Sequence, residues 1–415
     1  MRHARLLMAF LCLMCGVLMP LAAENTSTDI FDPSFRTLTV GIEGDRLAPP
    51  VLTLGGSERL VIGFDQLSDE RQYLRYTIVH CDAQWQPSGL VDAEVFDGFN
   101  YAEVEDYAFS RGTVTHYVHY TIVLPNKEFR FRLSGNYLLK VHSEDEPDRT
   151  LLQVRFMVSE NAVVVGGNAM SRTDIDYNDR HQQLELYVDT RNYNVRDPFN
   201  DLKVVVMQNY RPDTERVVVH PRRIQGGRLV YEHMPELIFT AGNEYRRMET
   251  VTSQYPGMGV DYIDFQAPYY HHYLNPDKPR AERDYSYDST QHGRFFVREY
   301  NSDDSDTEAD YTVVHFTLDR PQIQGGAVYL EGDFTHRLYD DRSAMRYEPS
   351  SGCYEKVMLL KQGAYNYQYV TSSKENLIEG DKYETVNEYP VAVYYRAPGE
   401  RYDRLIGYSV VFSGR

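Results

Sequence analysis

The chain has 415 residues and is rich in aromatics, with 35 Tyr and 18 Phe beside a single Trp. A hydrophobic content of 42% with 25% charged residues is enough to build packed cores, which excludes global disorder. The 43 basic and 61 acidic residues leave a net charge of −18, a field that repels phosphate backbones and argues against a nucleic-acid binder.

Residues 1–23 read as a cleaved signal peptide. Arg2, His3 and Arg5 precede an apolar run from Leu6 to Met19, and Pro20, Leu21, Ala22 and Ala23 follow. The run is too short to span a bilayer, and the small-residue exit suits signal peptidase. Cys12 and Cys15 lack the small preceding residue of a lipoprotein site, so the expectation is a soluble exported protein without direct membrane insertion. The mature chain holds 41 basic and 61 acidic residues, a charge of −20, and two cysteines. Cys81 and Cys353 are expected as buried thiols rather than as a bridge.

Further along, period-two alternation dominates. Residues 73–79, 113–124, 136–142, 150–158, 184–188, 204–208, 311–318, 327–331 and 365–370 read as strands with one buried face. Gly55-Gly56, Gly226-Gly227, Gly325-Gly326 and Ser351-Gly352 supply turn chemistry between them. Short strands at this spacing predict an all-β protein of tandem immunoglobulin-like sandwiches. Composition breaks divide it into 24–160, 161–300 and 311–415, with the acidic stretch 301–310 as a linker or exposed loop. Val328-Tyr329-Leu330-Glu331-Gly332-Asp333-Phe334, followed by Gly363 and Tyr365 to Val370, resembles early-set modules, including glycogen-binding ones.

No catalytic pattern stands out, and the expectation is a protein without enzyme activity, cofactor or metal. His116 and His119 fall on opposite faces of a strand and cannot share an ion. The acids from Asp303 to Asp310 lack the central Gly of a calcium loop. His80-Cys81-Asp82-Ala83-Gln84-Trp85 follows a clear strand. Adjacent His and Cys on a strand point apart, so Cys81 reads as a small buried residue and Trp85 as a core plug.

His80, Cys81, Asp82 and Trp85, then Leu124-Pro125-Asn126 and Ser134-Gly135-Asn136-Tyr137, occur in an order that resembles the type IX secretion system plug protein family. Tyr287-Asp288-Ser289, Ala309-Asp310-Tyr311, Leu360-Lys361-Gln362-Gly363 and Tyr402 to Tyr408 resemble its later segments. The resemblance implies a periplasmic protein, monomeric apart from its partner, that seals the periplasmic opening of a large outer-membrane translocon barrel. It offers no catalytic residues, and His80, Cys81, Asp82, Trp85, Asn126, Gly135, Asn136 and Tyr137 read as structural positions. Tyr269, Tyr270, His271, His272 and Tyr273, between Pro268 and Pro276, form the candidate contact loop, with an ordinary strand pair as the other reading. The rival function is a periplasmic or surface carbohydrate-binding sandwich protein.

Overall fold

The computed structural model describes residues 25–373 and 375–414, so the expected signal peptide lies outside the described residues. Strand accounts for 45% and helix for 4%, which is the all-β architecture that the alternation predicts. Strand Tyr311–Leu318 shows why: Thr312, Val314, Phe316 and Leu318 turn to the core while Val313, His315 and Thr317 are less buried.

The first unit packs two sheets face to face. One runs Asp29–Ile30, Thr150–Ser159, Gly135–Ser143, Leu74–Cys81, Ala102–Glu103; the other runs Phe35–Ile42, Leu60–Gln66, Val118–Leu124, Asp106–Phe109. Phe64, Ile62, Tyr120, Tyr137, Val154 and Phe156 fill the space between them.

The other two units do not divide at the composition breaks. Glu388–Tyr395 and Arg404–Phe412 pair with each other, and Glu388–Tyr395 also pairs with Leu202–Val206. Their Tyr389, Val391, Val393 and Ile406 share a core with Leu184, Leu186, Val188 and Leu229. Conversely, Arg246–Glu249 pairs with Gly363–Thr371, and Tyr269–Leu274 runs parallel to Tyr311–Leu318. The chain therefore leaves the second unit near Ala241, builds the third, and returns near Thr385 to finish the second. The quoted early-set strands do meet, with Val328–Glu331 antiparallel to Gly363–Thr371. The expected boundaries at 300 and 311 cut through sheets, because composition records local polarity and not which strands pair.

The stretch 301–310 is not a free linker. It makes a short helix, Ser305–Glu308, whose acids lie against the first unit.

Candidate functional site

Several of the residues that carry the sequence resemblance gather at the joints between units. At the first joint, strand Leu74–Cys81 delivers His80 beside the end of strand Gly135–Ser143, where Tyr137 pairs with His80. The His80 ring is hydrogen-bonded to Ser88 Oγ at 2.9 Å and to the Ser134 carbonyl at 3.1 Å. Burial holds it below the usual imidazole range. Its ring meets Tyr137 and, from the second unit, Tyr402 edge-on. Gly135 has φ +137°, and a Cβ there would meet His80 Nε2 at 2.6 Å, so no side chain fits. Buried Asn136 donates to the Asp82 carbonyl at 2.8 Å and accepts from the Tyr394 hydroxyl at 2.7 Å. The Ala83 amide donates to Asp403 at 3.0 Å, and Arg404 pairs with Glu160 at 2.9 Å. Cys81 is fully buried, as expected, and forms no disulfide with Cys353. Cys353 is only half-buried.

Trp85 departs from the expectation. It is half-buried at φ +62°, in the turn held by the Asp82 carboxylate, and its ring lies 4.4 Å from the Arg155 guanidinium carbon. A turn stapled by an Asp side chain lifts the following residues off the strand, so the indole never reaches the core. Asn126 sits apart from this group, capping a turn with bonds to Tyr76 and to the Glu128 and Phe129 amides. Tyr137 is a core residue whose hydroxyl donates to the Leu133 carbonyl.

At the second joint a buried polar cluster links the first and third units. Asp65 accepts from Lys361 Nζ at 2.6 Å and from the Tyr311 hydroxyl at 2.7 Å, and lies 2.6 Å from His119 Nδ1. Burial alone would push the Asp65 carboxyl up, but Lys361 and His119 outweigh it and hold the carboxyl below its ordinary value. Lys361 also donates to the Asp306 carbonyl and sits 4.0 Å from the Tyr117 ring centroid. Thr37, a β-branched residue at φ +53°, places its hydroxyl 2.6 Å from that of Tyr311. Such a conformation is costly and is held here by the contacts around it. The acidic stretch completes the joint: Asp306 pairs with Arg46, Asp304 with Arg111, and Asp310 accepts the Val114 and Thr115 amides.

Between the second and third units, Arg294 pairs with Glu388 at 2.5 Å and covers the Tyr210 ring. Within the third unit, buried Arg337 pairs with Glu331 at 2.6 Å. All three units line a central cavity of about 240 Å³, with Trp85 and Arg155 from the first, Tyr210 and Tyr408 from the second, and Arg294 and His336 from the third. Burial lowers the Arg155 guanidinium to about 10 against the opposing pull of the Glu215 carboxylate, and its hydrogen bonds go to Thr26.

The expected contact loop is a strand, Tyr269–Leu274, in a hairpin with Val260–Gln266. Tyr269, Tyr270, His271 and Tyr273 are half-buried, and Tyr273 stacks between Tyr262 and His315. His272 cannot serve as a contact. It is wholly buried, hydrogen-bonded to Thr312 Oγ1 at 2.5 Å and to the Thr252 carbonyl at 3.2 Å. Alternation along the strand turns it inward while its neighbours turn out.

Asp65 is the joint residue that motif reading misses. The signal for Asp65 is a carboxylate on the non-core face of Leu60–Gln66, a face otherwise carrying Val61 and Gly63, which marks it as covered. Among the described residues no three His, Cys, Asp or Glu side chains converge to hold a metal ion. No helix of the described residues is long and apolar enough to cross a membrane.

The class these observations define is a β-sandwich assembly in which several of the marked residues hold one unit to another. Residues 35–160 match the family described as Type 9 secretion system plug protein 1st domain. The crystal structure of a hypothetical protein from Parabacteroides merdae ATCC 43184 superposes with a TM-score of 0.92 at 40% identity, covering 94% of this chain and 99% of that one. An alkylpurine DNA glycosylase from Pseudomonas fluorescens reaches a TM-score of only 0.18 at 14% identity, over 30% of each chain. No curated protein matches. The chain belongs to the type IX secretion system plug protein family, and its role is associated with that system.

Proposed function

We propose that the protein is the periplasmic plug of the type IX secretion system, closing the periplasmic opening of the outer-membrane translocon barrel and performing no chemistry of its own. The observation that carries this reading is where the family-marking residues lie. His80, Gly135, Asn136, Asp403, Tyr311 and Lys361 fasten three sandwiches to one another. A barrel wide enough to pass proteins leaks solutes unless a body of matching bulk obstructs it, and that body must leave when cargo passes. Reversible interfaces of standard size meet that need without a covalent or metal link. With the acidic mature charge, adsorption to anionic lipid is disfavoured, so a protein partner supplies the membrane association.

The test is to purify the barrel complex from cells, look for this chain, and compare small-solute uptake with and without it. Co-purification and a leak on deletion are the expected results. Absence from the complex with unchanged permeability overturns the reading. The carbohydrate-binding alternative is weakened because the single Trp stacks on Arg155 in the central cavity and is not an open sugar platform.

A further inference from the structure

Strand Asp106–Phe109 ends one sheet of the first unit and has a neighbour on one side only. All four of its residues are exposed. Just past it, the Ser110 amide donates to the Tyr117 carbonyl at 2.9 Å. Inward and outward pairing alternate along an antiparallel ladder, so Ala108 faces its neighbour strand and Tyr107 and Phe109 turn their N–H and C=O groups outward. The far side of the sheet gives the same parity, through Leu67 N to Ser34 O and Glu43 N to Arg59 O. Nothing among the described residues meets those outward groups.

The side chains on this edge form a continuous stack. Phe109 packs edge-on to Tyr107, and the Arg71 guanidinium lies 4.0 Å from the Tyr107 ring centroid and 4.7 Å from that of Tyr73. Tyr73, Tyr107 and Phe109 are 61%, 36% and 48% exposed, so the stack lies open to a partner. Arg71 has no carboxylate partner among the described residues, and its Nε is buried without a hydrogen bond. The edge has no Lys, no Pro and no bulge, and its one charged residue, Asp106, stands at its start, away from Phe109. The hairpin edge Val260–Gln266, by contrast, carries Asp261, Asp264 and a register shift.

The chain beyond this edge already shows what it accepts. Arg111 donates its amide to the Thr307 carbonyl and its guanidinium to Asp304, and the Asp310 carboxylate takes the Val114 and Thr115 amides. An acidic segment of the third unit, which includes the short helix Ser305–Glu308, thus docks on the same margin of the sheet.

We propose that strand Asp106–Phe109 is a docking edge for an extended acidic segment of another polypeptide, added as a further strand. Main-chain bonds to Tyr107 and Phe109 would hold it, a carboxylate would sit on Arg71, and aliphatic side chains would cover the Tyr107–Phe109 rings. This goes beyond the plug reading and does not depend on it.

The test uses the mature chain and a capped synthetic peptide of about eight residues, alternating Val and Thr around a central Glu. Hydrogen exchange is followed by mass spectrometry with peptide present up to about 1 mM. The expected result is slowed exchange confined to residues 106–110, with affinity roughly tenfold weaker for the Gln peptide or for Arg71→Gln. Phe109→Pro, which deletes one outward donor on an edge strand, should lose the protection while keeping the native thermal transition. Unchanged exchange at the highest concentration in the folded wild type overturns the docking edge. Equal binding of the Glu and Gln peptides, with Arg71→Gln also without effect, overturns the carboxylate assignment. Protection of 106–110 by a second copy of the chain at high concentration, and not by peptide, overturns the foreign partner.

Discussion

Lys361 and Asp65 meet at 2.6 Å with side chains only 1% and 0% exposed, though they belong to different units of the chain. A buried ion pair of this kind adds little over a well-packed apolar pair, but removing one partner leaves the other uncompensated. The two sides are unequal here. Asp65 serves Lys361, Tyr311 and His119 together, so its loss takes a partner from three groups at once and leaves the buried Lys361 charge without its carboxylate.

Asp65→Ala is therefore expected to cost about 3–5 kcal/mol, and Lys361→Met about 1–3 kcal/mol, since Asp65 then keeps Tyr311 and His119. Urea unfolding of both variants and of the double variant checks the order. Equal costs would show that the Tyr311 and His119 bonds contribute nothing.

Acidification should destabilise the protein in two windows. Burial drives His292 down to about 4, so the folded protein refuses a proton that the unfolded chain accepts below about 6.5. Stability present above that value is lost as pH falls toward 4, by roughly 3 kcal/mol for this residue. Asp65 and Glu379 act lower. Burial would raise both, but Lys361 and His119 for one, and Arg246 and Arg280 for the other, hold them below their ordinary values. Their contribution is complete above the unfolded carboxyl values and disappears as pH falls through the folded ones. Melting curves from pH 7 to 3 test the profile, and His292→Gln should shrink the upper window, to which buried His80 and His272 also contribute, while leaving the lower one in place.

Asp310→Ala should loosen the joint between the first and third units, because the Val114 and Thr115 amides lose their shared acceptor. A cost of about 1–3 kcal/mol is expected, less where water can reach the amides. Raised salt should weaken the same joint further, since the Arg46 and Arg111 pairs are partly exposed. Protease sensitivity between residues 111 and 116 is the readout.

A chain cut after Tyr383 loses both Glu388–Tyr395 and Arg404–Phe412, half of a four-stranded sheet of the second unit. The prediction is that the second unit unfolds while the first and third keep their strands, seen as selective loss of exchange protection over residues 164–240. A truncated chain with that region still protected would refute the shared core.

Much of the first unit is legible in sequence, because Leu74–Cys81, Gly135–Ser143 and Thr150–Ser159 alternate and lie close enough in the chain to pair with one another. The return of Glu388–Tyr395 to Leu202–Val206 is not legible, since alternation names a buried face and says nothing of which strand lies beside it. Trp85 and the acidic stretch depart from expectation for a related reason. Each has a local signature, core aromatic or solvated linker, that tertiary partners override: Arg155 for the indole, Arg46, Arg111 and two amides for the acids. The joints themselves were visible only as a set of motifs without a stated purpose, and Asp65 belonged to none of them.

The central cavity is ringed by all three units, and each pair of units shares its own joint. Two bodies on one joint can swing, but three bodies closed into a triangle have no free rotation left. Opening any one joint by more than side-chain play strains the other two. Under the proposed plug role, a stopper built this way would not fold aside like a flap, and the passage would clear only when the whole triangle departs. The work of unblocking would then fall on the outer contact surface alone, and its strength, rather than any internal motion, would set how often the opening is free.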